Sequence, residues 1–277
     1  MTIREMLVYG ERRLQQADIP EAKVNAWYLF AHVTGMTKSS FFLRAEEEAE
    51  DGWLTEYGHM LNLRMTRRPL EYITNETEFM GLPFYVDENV LIPRQDTECL
   101  VEEALSYVQG KDVLDLCTGS GCIGISLAVL GGCRSVTLAD LSEAALRVAR
   151  ENAHKNQADV LFVQGDLFEN IEDTYDVIVA NPPYIPTSEI ERLMPEVRDY
   201  EPRPALDGEE DGLHFYHRII GESSRYLRFG GRLCFETGYN QGKAVCSYMK
   251  KSGYTNVEIK KDLAGLDRIV TGCRMEE

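Results

Sequence analysis

The sequence has no run of about 18 uninterrupted apolar residues, and its opening stretch, MTIREMLVYGERRLQQ, lacks a basic patch leading into an apolar one. The first absence excludes a membrane-spanning helix and the second an export signal, so a cytoplasmic location is expected. Paired cysteines are missing too. Cys99, Cys117, Cys122, Cys133, Cys234, Cys246 and Cys273 form an odd, scattered set without a C-x-x-C spacing. They read as reduced, mostly buried small hydrophobes, not as a zinc site or a disulfide framework. Positive charge is scarce: 29 Lys and Arg against 46 Asp and Glu leave a formal net charge of -17. Such a chain repels phosphate backbones, so no direct nucleic-acid binding is expected, and proteins with a basic surface are the more natural partners. Internal repeats and low-complexity tracts are absent as well.

What is present suits a globular chain with a real core, since 44% of the residues are hydrophobic and 27% charged. At 277 residues it has room for two domains. Residues 2 to 68 are helical in pattern: Ile3, Leu7 and Leu14 recur at helix spacing, and Trp53, Tyr57, Leu61 and Met65 follow in steps of four. Breaks at Asp18-Ile19-Pro20, at Gly35 and in the acidic run from Glu46 predict a bundle of four or five helices over residues 1–75. The segment EFMGLPFYV, with Gly81 and Pro83 between aromatic runs, predicts a β-hairpin linker over 76–88.

From residue 89 to 277 strands alternate with helices, which predicts an α/β, Rossmann-like domain with a parallel sheet covered on both faces. The expected strands are VLDL at 113–116, SVTLAD at 135–140, VLFVQGD at 160–166, YDVIVAN at 175–181 and GRLCFETG at 231–238. Helices are expected from about 121, from Ser142 to about Asn156, from about Gly212 to Leu227, and up to Ser252. NVEIKKD and DRIVTGC are placed to pair as an antiparallel hairpin through Leu263-Ala264-Gly265.

Cys117-Thr118-Gly119-Ser120-Gly121 lies where the first strand runs into its helix, and small residues there let a ligand approach the backbone. Asp140 ends the next strand, 19 residues past Gly121, where its carboxylate can accept from two ribose hydroxyls or cap the following helix. Asp166 closes the third strand, placed to accept from an adenine amine, with Leu167 packing on the ring. These three strand ends suit an adenosine moiety, although a dinucleotide would satisfy much of the same geometry.

The fourth strand end, Asn181-Pro182-Pro183-Tyr184, is more specific. Two prolines fix φ, push Asn181 out of the helical region and remove two N–H donors. The Asn181 side-chain oxygen and the Pro182 carbonyl can then form two acceptors for one NH2 group, with Tyr184 packing on its flat face. An amide or aromatic amine nitrogen is a poor nucleophile, and acceptors on its N–H bonds stabilise the positive charge that grows as a methyl arrives. Displacement at a sulfonium already has an activated leaving group, so positioning and exclusion of water carry the chemistry, and no metal is required.

Together DLCTGSGCIGISLA, NPPYI, LIPRQDTE, EPRPALDGEEDGL and KDLAGLDR resemble the HemK-type (PrmC) release-factor glutamine N5-methyltransferases over nearly the whole chain. The glycine-rich turn is common to such methyltransferases and NPPY also serves adenine and cytosine; LIPRQDTE and EPRPALDG narrow the likeness to protein glutamine. The resemblance implies S-adenosyl-L-methionine as donor, S-adenosyl-L-homocysteine as product, and peptide chain release factors as substrate through the glutamine of their Gly-Gly-Gln tip. It also implies that the N-terminal helical domain helps recognise the release factor. Asn181, Pro182, Pro183 and Tyr184 would hold the glutamine amide, while residues 117–121, Asp140 and Leu167 would line the donor site, with Asp166 and Asn181 counted among the donor-binding residues as well. A monomer is expected.

Three positions depart from the family pattern: Cys117 and Glu209 stand where glycine is usual, and Gln95 where proline follows LIPR. A side chain at Cys117 is tolerable if its φ is negative and its backbone alone faces the donor, in which case a buried, inert thiol is expected. His214 and His217, three apart on an expected helix, lack a further ligand to complete a metal set. The acidic stretch from Glu46 to Asp51 reads as a solvated face. Other readings of the chain are methylation of a ribosomal-protein glutamine or a nucleic-acid amino group, and a noncatalytic translation adaptor.

Overall fold

The computed structural model describes residues 1–275. Its backbone divides into two compact units, Met1–Asn75 with Met194–Tyr200, and Glu76–Leu193 with Glu201 onward.

The first unit is helical: α1 (Ile3–Gln16), α2 (Ala22–Thr34), α3 (Lys38–Arg44), α4 (Asp51–Met65) and α5 (Leu70–Thr74). A capping box starts α1, with the Thr2 hydroxyl accepting from the Glu5 amide and the Glu5 carboxylate accepting from the Thr2 amide. Ile3, Met6, Leu14, Leu29, Phe30 and Leu61 are fully buried in one apolar cluster. The unit also buries one cation. Arg64 donates from Nε to Asn25 Oδ1 at 2.7 Å, from Nη1 to the Arg68 carbonyl at 3.3 Å and from Nη2 to Glu196 Oε1 at 3.0 Å, so its charge is paired and each nitrogen has an acceptor. Glu196 comes from the distant 194–200 segment, which the sequence reading assigns to the second domain. Nothing in its local composition marks that association.

In the second unit β1 (Glu76–Phe79) and β2 (Leu82–Tyr85) form the expected hairpin. Met80 and Gly81 both have positive φ, as a two-residue turn that matches strand twist requires. Asn152 clamps this hairpin: its Oδ1 accepts from the Tyr85 amide, while its Nδ2 donates to the carbonyls of Tyr85 and Ser120.

The elements that follow are α6 (Gln95–Leu105), β3 (Asp112–Leu116), α7 (Cys122–Leu130), β4 (Ser135–Asp140), α8 (Glu143–Lys155), β5 (Leu161–Gln164) and β6 (Tyr175–Ala180). Short turns α9 (Thr187–Ile190), α10 (Pro195–Arg198) and α11 (Arg203–Leu206) punctuate the proline-rich connection. The chain closes with α12 (His214–Ser223), β7 (Leu227–Glu236), α13 (Gly242–Lys251), β8 (Tyr254–Lys261) and β9 (Asp267–Arg274).

Seven strands make one sheet in the order β5-β4-β3-β6-β7-β9-β8, parallel from β5 to β7 and antiparallel at β9 and β8. Alternate residues of the central strands leave opposite faces. Leu114, Leu116, Ile178 and Ala180 join one core with α12 and α13, while Val113, Val177 and Val179 join the other with α6 and α7. The order of strands reverses between β3 and β6, and such a switch point opens a crevice at the carboxyl ends.

The third expected strand ends at Gln164, so Asp166 lies just past it and does not close it, and the largest departures from the expected boundaries come after α12 begins. The helix expected to run to Leu227 stops at Ser223, and the strand expected at 231 begins at Leu227. Gly230 has φ 73° and the pairing with β6 shifts register there, so an irregular strand with a glycine pair reads locally as a loop. Helix α6 has no counterpart among the expected elements.

Gly10 of α1 lies where an added Cβ would sit 1.9 Å from the Tyr57 hydroxyl, which donates to the Ala26 carbonyl, whereas Gly58 of α4 has open space. Gly10→Ala is expected to lower stability by about 1–3 kcal/mol through overpacking, despite the better helix propensity of alanine. Gly58→Ala should leave stability unchanged or raise it by up to about 1 kcal/mol. Urea unfolding of the two variants checks the pair.

Candidate active site

A cavity of ≈ 210 Å³ opens at the carboxyl ends of β3, β4 and β6. Of the residues expected at the donor site, Cys117, Thr118, Gly119, Ser120, Asp140, Asp166 and Leu167 line it, and Gly121 does not. Gly121 instead has φ 82° at the N-cap of α7, where a Cβ would meet Ile125 at 2.7 Å. Its role is close packing of the turn on the helix.

Asp140 organises this wall. Its Oδ2 accepts from the Gly119 amide at 2.8 Å and its Oδ1 from the Ser142 amide at 2.9 Å, so it pins the glycine turn to the start of α8. Burial pushes its pKa up while these backbone donors push it down, with a net upward shift. Each oxygen keeps a lone pair for another donor. Ser142 caps α8 through its own hydroxyl, so Asp140 is not the cap.

Asp166 lines the cavity with its carboxylate held by Arg218, two N–H groups donating at 3.0 Å each. Its acceptor capacity is halved but not exhausted. Leu167 is buried and has φ 54°, which turns it into the cavity wall at a conformation unusual for a branched side chain.

Cys117 departs from expectation. Its φ is 58°, not negative, in the left-handed region that glycine occupies without cost. The side chain offsets part of that strain by packing against the apolar core beside β3. Burial first, and then the negative charges of Asp140 and Asp115, push its thiol pKa well above the usual thiol range, which disfavours the nucleophilic thiolate. All seven cysteines are free.

At the fourth strand end Asn181 and Pro183 line the cavity. Pro182 is buried, and neither Pro182 nor Tyr184 lines it. The Tyr184 hydroxyl donates instead to Glu236 Oε1 at 3.4 Å, and its carbonyl accepts from Gln241 Nε2 at 2.8 Å. Asn181 Nδ2 donates to Thr97 Oγ1 at 3.4 Å. That bond takes one of the two Nδ2 protons and anchors the amide, whose oxygen is an acceptor for a ligand.

The far wall comes from the segments of the LIPRQDTE and EPRPALDG motifs, which in the sequence are signals of the family alone. Asn89, Val90, Pro93, Arg94 and Thr97 line the cavity, as do Pro202, Pro204 and Ala205. One ion pair joins them: Arg94 Nη2 donates to the buried carboxylate of Glu201, whose Oε2 also accepts from the Ile92 amide at 3.4 Å. The two motifs are therefore halves of one structure, about 107 residues apart in sequence, and no local periodicity could have paired them. Asp262 and Arg268 of the KDLAGLDR motif likewise pair at 3.1 Å across the β8–β9 turn. His214 and His217 hold ring contacts with Phe215 and Tyr248, and no cluster of metal-ligating side chains occurs among the described residues.

Beneath the glycine turn lies Asp115, fully buried. Its Oδ2 accepts from the Thr118 hydroxyl at 2.6 Å and the Gly124 amide at 2.9 Å, and its Oδ1 has no partner. Burial raises its pKa to about 7, opposed by those two hydrogen bonds. A carboxyl raised in the folded state lends stability below its unfolded pKa near 4, and this is lost as pH climbs through 7. Asp115→Asn removes that penalty. Its melting temperature relative to the parent should be higher at pH 8 than at pH 5.5, the difference corresponding to a few kcal/mol or less. Thermal unfolding at both pH values decides it, and an offset independent of pH would show that Asp115 does not titrate there.

The PrmC N-terminal domain family matches residues 5–74 and the Methyltransferase small domain family matches residues 95–195. The release factor glutamine methyltransferase of Clostridium acetobutylicum is 38% identical, covering 99% of this chain and 99% of that relative. The enzyme of the same name from Moorella thermoacetica is 39% identical over the whole of both chains. Among solved structures, a methyltransferase from Pyrococcus furiosus superposes with a TM-score of 0.56 at 18% identity, covering 72% of this chain and 91% of its own. The ribosomal protein L11 methylase of Lactobacillus delbrueckii subsp. bulgaricus gives a TM-score of 0.52 at 19% identity over 69% and 84%. Those structures share the fold of the second unit's α/β sheet, and the full-length sequence identity goes further: the chain belongs to the release factor glutamine methyltransferase family.

Proposed function

We propose that this chain transfers a methyl group from S-adenosyl-L-methionine to the side-chain amide nitrogen of the glutamine in the Gly-Gly-Gln tip of peptide chain release factors. The observation that carries the reading is Asn181 at the cavity, anchored by one Nδ2 proton on Thr97 and carrying an amide oxygen that can accept from a substrate NH2.

The donor half of the cavity fits an adenosyl group. Asp140 has lone pairs for two ribose hydroxyls, the 117–120 turn offers close backbone approach, and Leu167 gives an apolar wall for a flat base. Asp166, held by Arg218, keeps acceptor capacity for an exocyclic amine. S-adenosyl-L-methionine supplies an already activated methyl group, so the protein's task is to align the acceptor and exclude water. Asn181 Oδ1 accepts from an N–H of the glutamine amide, and the rigid proline pair keeps this acceptor in place as positive charge grows on nitrogen; Pro182, expected from the sequence as the second acceptor, lies outside the cavity lining. Pro183 closes the turn against the cavity, and Tyr184 braces it from behind through Glu236 and Gln241. Its ring supports the turn in place of the direct stacking that the sequence suggests.

The helical unit carries the PrmC N-terminal domain, and we assign it recognition of the release factor. The net charge of -17 favours a basic protein over a nucleic acid as substrate. No helix among the described residues is long and apolar enough to cross a membrane.

Purified protein incubated with labelled S-adenosyl-L-methionine and a release factor should label one glutamine, located by mass spectrometry. Asn181→Ala should lower kcat by about 10²–10³ while donor affinity changes little, the pattern of a lost transition-state contact. Label that goes instead to a ribosomal protein or to RNA, with the release factor untouched, would overturn the substrate assignment.

A further inference from the structure

The donor carries a charge that the residues assigned so far do not answer. S-adenosyl-L-methionine ends in an amino acid whose carboxylate is ionised at neutral pH. Asp140 and Asp166, which suit the adenosine end, are acids and repel such a group. The sulfonium lies between adenosine and the amino-acid chain, so an adenosine seated at Asp140 and Asp166, with its methyl at Asn181, sends that chain toward the opposite wall.

Arg94 stands on that wall. Among the described residues that line the cavity it is the only Lys, Arg or His. Its backbone carbonyl accepts from the Thr97 amide at 3.1 Å, and the Thr97 hydroxyl accepts from Asn181 Nδ2 at 3.4 Å, so the cation lies one helical turn from the residue that holds Asn181. Its side chain is 39% exposed, whereas the Glu201 carboxylate it meets through Nη2 is 1% exposed and is also tied to the Ile92 amide. A guanidinium has five N–H donors in a planar fork, and the bond to Glu201 uses one. The buried acid thus fixes one edge of the fork and leaves N–H groups for a second planar anion.

We propose that Arg94, held by Glu201, binds the carboxylate of the donor's methionine moiety. The proposal rests on the donor half of the reading above and does not depend on which NH2 group is methylated. Glu201 lowers the net charge of the pair, so the contribution is that of a positioned, charge-assisted hydrogen bond and not of a bare ion. A pair that only strapped the two wall segments together would weaken every ligand alike when broken. A carboxylate partner discriminates among ligands.

Isothermal titration calorimetry on the full chain tests this with three ligands: S-adenosyl-L-homocysteine, its decarboxylated form, which keeps the amine, and 5′-methylthioadenosine, which has neither group. The parent should bind S-adenosyl-L-homocysteine about tenfold or more tighter than the decarboxylated form, the size of a charge-assisted hydrogen bond. In Arg94→Met, and in Arg94→Gln, which keeps a partner for Glu201, that preference should vanish or reverse, while affinity for 5′-methylthioadenosine changes by less than about twofold. Thermal unfolding confirms that each variant is folded. A parent without the preference overturns the proposal, and so does a folded neutral variant that keeps it. An equal loss of affinity for all three ligands marks a strap and also overturns it. Unchanged affinity for S-adenosyl-L-homocysteine with a raised KM for the release factor places the cation on the acceptor instead, a third way for the proposal to fail. If the parent binds none of the three ligands, it is the donor reading itself that fails.

Discussion

Strands β3 and β6 pair in parallel at the middle of the sheet with apolar side chains leaving both faces, so only their carboxyl ends can gather polar groups that a ligand can reach. Everything in the site is arranged around that constraint. Backbone amides freed where β3 gives way to α7 need acceptors, and Asp115 and Asp140 supply them from below and from the side. The turn that follows β6 is stiffened by prolines instead, and its asparagine is tied outward to Thr97.

The cost of this arrangement is carried by acids. Asp115, Asp140 and Glu236 are carboxylates in low-dielectric surroundings, and burial drives all three pKa values upward. Asp140 raises Asp115 further by its own charge. A cation bound in the cavity offsets that repulsion, which is one physical reason for an acidic wall to suit a sulfonium donor. Burial, and then the same field, raises the pKa of the Cys117 thiol beside them.

Each departure from the family pattern has a local explanation. Gln95 is the first residue of α6, a position where proline is favoured because its missing N–H has no helical partner, and where other residues are tolerated. Cys117 and Glu209 have φ of 58° and 70°, so both replace glycine at left-handed residues. Such a conformation costs roughly 1–2 kcal/mol for a side-chain residue. At Cys117 apolar packing offsets some of it. At Glu209 the backbone amide donates to Asp207 Oδ1 and the carbonyl accepts from Thr187, which fixes the turn.

By itself the sequence determined the alternation of strands and helices, the two-residue hairpin turn, the glycine-rich strand end and the Asn-Pro-Pro-Tyr turn. Each of these is written in residues within a few positions of one another, where periodicity, proline and glycine act directly on the backbone. Only the tertiary structure decided which of them meet at the cavity. The Arg94–Glu201 pair, the bond from Asn181 to Thr97, the Tyr184 hydroxyl on Glu236 and the Arg218 clamp on Asp166 all join residues more than fifty positions apart. Long-range pairs leave no local signature, since each member alone is an ordinary polar residue. The sign of φ at Cys117 belongs to the same class, because a buried strand end imposed it on a residue that would not choose it.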